Sequence, residues 1–78
     1  MMKGIEVAEL RFNHRKSELQ ELKTDVERLR ENMNQSLDLG YYNEAGQWAE
    51  QIGRLSAKIE AVGRELAEFE IILRDLRV

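Results

Sequence analysis

Cysteine and proline are both missing from this 78-residue chain. Without cysteine there can be no disulfide and no thiolate metal site, which fits a reducing compartment and makes the cytoplasm the expected location. Without proline nothing forces a break in a helix. Apolar runs are only a few residues long, so no membrane span is expected, and Met1-Met2-Lys3-Gly4 lacks the apolar core of a signal peptide. A basic excess is missing too. The formal net charge is -3, with 7 basic and 8 acidic residues through Leu39 and 5 basic and 7 acidic from Gly40 onward. Neither half is a polycation, which counts against a surface built to grip phosphates.

Catalytic constellations are equally scarce. The only histidine, His14, stands on a charged helical face with no convergent partner suggested by the pattern. No HExxH, glycine-rich phosphate loop, EF-hand loop or nucleophile elbow is present. The di-iron signature of helical bundles is excluded, because no acidic residue stands three places before His14. The expectation is therefore a protein that is not an enzyme, with no catalytic residues, no cofactor and no metal.

What the chain does have is periodicity. Ala45, Trp48, Ile52, Leu55, Ile59, Val62, Leu66, Phe69, Leu73 and Leu76 follow one another at spacings of three and four. An average repeat of 3.5 residues keeps such side chains on one slowly winding face, the seam of a coiled coil. Ile5, Ala8, Phe12, Arg15, Leu19, Leu22, Val26, Leu29, Met33 and Ser36 form a second seam, with polar defects only at Arg15 and Ser36. The two are mirror images, since opposed positions always sum to 81: Met33 with Trp48, Val26 with Leu55, Leu19 with Val62, Ile5 with Leu76. That symmetry predicts an all-α fold, an antiparallel two-helix coiled-coil hairpin forming one domain over residues 1–78. Helix one is placed at about 5–38, the turn at about 39–43 and helix two at about 44–77. Gly40 suits the left-handed position that ends a helix, and Asn43 or a neighbour is the expected cap of the next. Between flanking positions, Arg11 is expected to meet Glu65, and Glu18 and Asp25 to meet Lys58.

Two helices alone bury little apolar surface, so assembly into a dimeric four-helix bundle or a larger helical oligomer is expected. Several residues outside the seam point the same way. Val7, Leu10, Ile71, Ile72 and Val78 are apolar near the open end, and Leu10 and Ile71 both occupy heptad position f, remote from the intramolecular contact. Beside the seam of helix two runs a strip of small residues, Gly46, Ala49, Gly53, Ser56, Gly63 and Ala67, interrupted by Glu60. Glycine inside a helix costs about 1 kcal/mol relative to alanine, so Gly53 and Gly63 call for a reason. Either the stems of Lys16, Lys23 and Arg30 cross the strip, or another protomer's helix approaches there, or the glycines are an accidental set on the surface. The interface between copies is accordingly expected at Val7, Leu10, Gly53, Gly63, Ala67, Ile71 and Ile72.

Two further clusters are candidates for binding. Tyr41, Tyr42 and Trp48 gather at the turn, where they either plug the end of the seam or meet a protein partner. Arg11, His14, Arg15 and Lys16 form the best candidate for an anion. Arg15 sits in the seam opposite Leu66, where a charge must reach the edge or find a carboxylate such as Glu70.

From Met33 to Leu55 the spacing resembles the UVR motif, the helical hairpin of the excision-repair subunits UvrB and UvrC. Met33, Tyr42 where the family has phenylalanine, Ala45, Gly46 where alanine is usual, Trp48 in place of leucine, Ile52 and Leu55 fall in register. The family's Arg-Asp pair is replaced by Ala49-Glu50. The resemblance implies a protein-binding, self-associating hairpin, and a DNA-repair role does not follow from it. The overall architecture also resembles that of the plasmid regulator Rop, without a sequence match.

These features together suggest a small protein–protein interaction module, an adaptor, regulator or inhibitor of the kind phages encode as accessory proteins. Its partners would be itself, as a dimer foremost, and another protein, with no membrane. Two alternatives are an RNA- or DNA-binding dimeric bundle and an oligomer that sequesters an anionic, nucleotide-like ligand at Arg11 and Arg15.

Overall fold

The computed structural model describes residues 4–77, and Val78 lies outside them. Two helices, α1 (Gly4–Asp38) and α2 (Tyr42–Arg77), fold back on each other as a helical hairpin. The rod measures 56 × 19 × 15 Å.

The hairpin forms because each helix has one apolar stripe and the only turn between them brings the stripes face to face. All ten seam positions of α1 are buried or half-buried, as are nine of the ten in α2. The deepest are Leu22 and Val26 on α1 and Ala45, Val62 and Leu73 on α2. Cross-helix neighbours fall where the mirrored register puts them: Arg15 reaches Glu65, and Phe12, Lys16 and Leu19 border one groove with Gly63, Leu66 and Glu70. Leu76 is the exception. It was expected opposite Ile5 but is 54% exposed, because the last layer has no further layer to cover it.

The turn is built from one residue used twice. The Gly40 amide donates to the Leu37 carbonyl and the Tyr41 amide to the Ser36 carbonyl, at 3.1 and 2.8 Å, the paired bonds of a Schellman cap. Gly40 carries the required positive φ of 80°. The Tyr41 carbonyl then accepts from the Ala45 amide at 3.0 Å, the first bond of α2. Tyr41 thus closes one helix and caps the next, and Asn43, the expected cap, lies inside the first turn of α2 beside Glu44. Behind the turn the buried pair Ser36 and Ala45 makes a thin layer that lets the chain reverse tightly. No buried side-chain polar atom among the described residues lacks a hydrogen-bond partner.

The hairpin is sparingly buried. No described large side chain is less than 2% exposed, and the chain presents 6209 Å² to solvent. A compact monomer of its 9.1 kDa mass would present about 4,900 Å². The excess is about 1,300 Å², whereas a standard interface removes about 800 Å² from each partner.

Candidate interaction surfaces

Arg15 is held by its own chain. Its guanidinium contacts the Glu18 carboxylate at 2.6 Å, one turn along α1, and that of Glu65 on α2 at 3.3 Å. The side chain stays 39% exposed, so its aliphatic stem covers the seam while its head escapes to the edge. The hydrogen bond from Arg15 is the main cause holding the Glu18 carboxyl below the usual glutamate range, with Lys58 and His14 adding attraction and partial desolvation opposing. Those same carboxylates raise Arg15 above the ordinary arginine value. The expected partner Glu70 instead lies 3.9 Å from Arg74 on its own helix, and it is Arg15 rather than Arg11 that takes Glu65. Reach decides this: position d points across the seam, whereas Arg11, at g, starts a full turn away from Arg15 along α1.

The four candidate anion ligands are divided. Arg11, His14 and Arg15 border a groove of about 780 Å³ together with Glu65 and Phe69. Lys16 leaves that groove and places its ammonium 5.5 Å from the centroid of the Phe12 ring, a cation–π contact. With Glu65 on its wall and Glu18 on Arg15, the groove has mixed charge. Among the described residues no group of three or more histidine or acidic side chains is placed to hold a metal ion.

At the open end Val7, Leu10, Ile71, Ile72 and Leu76 are exposed, between 38% and 58%. They are not one continuous patch. Position f faces away from the partner helix, so Leu10 and Ile71 lie on opposite flanks of the rod, while Val7 and Ile72, at c and g, share one side. The small-residue strip of α2 is open. A side-chain carbon added at Gly46, Gly53 or Gly63 would meet no atom within 4 Å, so no lysine or arginine stem from α1 packs against these glycines. Lys16 borders a groove with Gly63 and Ala67 without packing against the glycine itself, so tight packing within the hairpin is not what the glycines serve.

The turn presents the other group of exposed large apolar residues, Leu37, Leu39, Tyr41 and Tyr42, the last 72% exposed. The two tyrosines therefore do not plug the seam, and only Trp48 is half-buried against it. Leu37 and Leu39 join the aromatic residues as candidates here, and their exposure has no signal in the sequence, where leucine next to a helix end reads as part of the seam's flank. The charge of this end was missed as well. From Glu31 to Gly53 there is no basic residue and there are four acidic ones, Glu31, Asp38, Glu44 and Glu50. The rest of the chain carries twelve basic and eleven acidic residues, so the entire negative excess sits at the turn. Comparing the two halves of the sequence hides this, because the division at Gly40 splits the acidic tip between them.

No helix among the described residues is long and apolar enough to cross a membrane. No protein-family model, curated protein or solved structure matches this chain, so its functional reading rests on these surfaces.

Proposed function

We propose that the protein is a non-enzymatic interaction module, a helical hairpin that self-associates and acts by occupying a surface of another protein, as an adaptor, regulator or inhibitor. The observation that carries this reading is the excess of exposed area. A lone hairpin leaves about 1,300 Å² more in water than a compact chain of its mass, with apolar side chains of both helices among it. The open end suits contact between copies because its charges balance. Arg11, Arg15 and Lys16 stand with Glu6 and Glu9 on α1, and Arg64 and Arg74 with Glu65, Glu68, Glu70 and Asp75 on α2. Identical surfaces of that kind can meet without net repulsion. A dimeric four-helix bundle is the simplest product. Because Leu10 and Ile71 lie on opposite flanks, burying both takes a contact that wraps the open end or more than one neighbour. The UVR-like spacing of residues 33–55 supports the same class of function.

Light scattering on the purified chain tests self-association, with the mass of a dimer or a higher multiple expected. Ile71→Glu puts a charge on the exposed apolar flank and is expected to lower that mass while helicity is kept. A wild-type monomer at tens of micromolar would refute self-association. An unchanged mass in the variant would move the contact away from this flank.

A further inference from the structure

We infer that the turn is a second, heterotypic docking surface, and that its partner is a cationic polypeptide segment bearing apolar side chains. The inference rests on the interaction-module reading and adds the chemistry of the partner.

Three observations converge on residues 37–44. The first is apolar exposure: Leu37, Leu39, Tyr41 and Tyr42 stand in water within six positions, held in place by the hydrogen-bonded cap around Gly40. Aromatic and aliphatic anchors on a rigid support are what a protein-binding hot spot needs. The second is charge. Asp38 and Glu44 flank these side chains, Glu31 and Glu50 lie behind them, and no lysine, arginine or histidine occurs from Glu31 to Gly53. Two tips of like charge repel, so a second copy of this chain is the wrong occupant, as are a nucleic acid and an anionic membrane. A basic segment with leucine-like side chains matches both features. The third is local chemistry at Tyr41. Its carbonyl accepts the first bond of α2, so it holds the N-cap position, where Ser, Thr, Asp or Asn would bond the free amides that follow. Tyrosine does not serve the helix there, and its side chain is 57% exposed. Sites where a local rule is broken without gain to the fold are where function is expected. The rod is 56 Å long, so copies joined at the open end leave the tip free.

The test uses fluorescence anisotropy on the full chain. The probe is a short dye-labelled peptide with leucines at helical spacing and lysines elsewhere. Controls are the same peptide with glutamate for lysine, a lysine homopolymer of equal length, and an RNA hairpin. The lysine–leucine peptide is expected to bind, and the three controls to bind at least about tenfold more weakly. Tyr41→Ser with Tyr42→Ser, and separately Asp38→Asn with Glu44→Gln, should each weaken the peptide by about tenfold or more. Serine at position 41 supplies a helix cap, so a fall in affinity with an unchanged or higher melting temperature cannot come from misfolding. Ile71→Glu should bind as wild type. Equal binding by both tip variants, equal binding of any control, or no binding of the lysine–leucine peptide would overturn the inference. Light scattering on the same samples separates the two proposals. A monomeric wild type whose tip still binds the peptide would end the self-association reading alone, while tip variants of reduced mass would make the turn a contact between copies and end this one.

Discussion

The same substitution, glycine to alanine, should have opposite effects at two places in this chain. Gly53 and Gly63 lie inside α2, where a new methyl group meets nothing within 4 Å. Alanine there gains about 1 kcal/mol of helix propensity at each site, about 2 kcal/mol for the pair. At about 2.1 cal/mol/K of unfolding entropy per residue, a chain of 78 residues gains about 6 °C per kcal/mol, hence about 12 °C for the double variant. Gly40 is also in open space, but its φ of 80° belongs to the left-handed region. A side chain there costs about 1–2 kcal/mol, so Gly40→Ala should lower the melting temperature by about 6–12 °C. Thermal melts followed by circular dichroism at falling protein concentration isolate the hairpin from its association. If another protomer's helix packs on the strip, the two added methyl groups block its approach, and light scattering should show lower mass at high concentration in the more stable variant. A lower melting temperature for Gly53→Ala with Gly63→Ala at the lowest concentration would mean that the strip is filled within the hairpin, and the reasoning would fail.

Other substitutions probe the seam and its charged node. Leu22→Asp places a charge in one of the most buried layers and should abolish cooperative unfolding by circular dichroism, since an unpaired buried carboxylate costs several kcal/mol. Arg15→Leu fills the seam with an apolar side chain and gives up ion pairs that are largely solvent-screened, so its melting temperature should rise. The Glu18 carboxyl is depressed in the folded chain, chiefly by its hydrogen bond from Arg15, so the unfolded chain takes up its proton first as pH falls. Its contribution is present above the ordinary glutamate range and is lost on acidification through the lower folded value. Melting temperatures followed from the ordinary glutamate range downward should therefore fall less steeply for Glu18→Gln than for wild type, and parallel curves there would remove Glu18 from the acid response.

The seam was legible because periodicity is a property of the whole helix and tolerates local error. Arg15 and Ser36 broke the apolar pattern without moving the register, since one reaches the edge and the other forms a thin layer with Ala45. Which carboxylate Arg15 would take was not legible, because that depends on side-chain reach across a curved interface rather than on spacing. The start of α2 was displaced for a related reason. Asn43 has the better capping side chain, but the cap around Gly40 fixes where the chain turns, and the backbone of Tyr41 opens the helix two residues earlier. The acidic tip was hidden by summing charge over two halves divided at Gly40, which splits it between them. What the folded hairpin adds is that Leu39 and Tyr42, between Asp38 and Glu44 in the chain, stand exposed at one end of the rod.

The places where this chain departs from what its own helices favour are not scattered. Within the seam, nearly every side chain serves the hairpin. Outside it, glycine stands at 53 and 63 where alanine would be more stable, tyrosine caps α2 where serine would bond its amides, and leucine or isoleucine stands in water at both ends. Each choice costs the lone hairpin a fraction of its stability or exposes apolar surface that favours association. A domain of this size has only a few kcal/mol to lose. Three such departures, on three separate parts of a 56 Å rod, are what the proposed self-association and docking would account for. The open end has the balanced charge that lets copies meet, and the tip has the single-signed charge that keeps them apart. The same charges that make the open end suited to its own kind make the turn suited to something else.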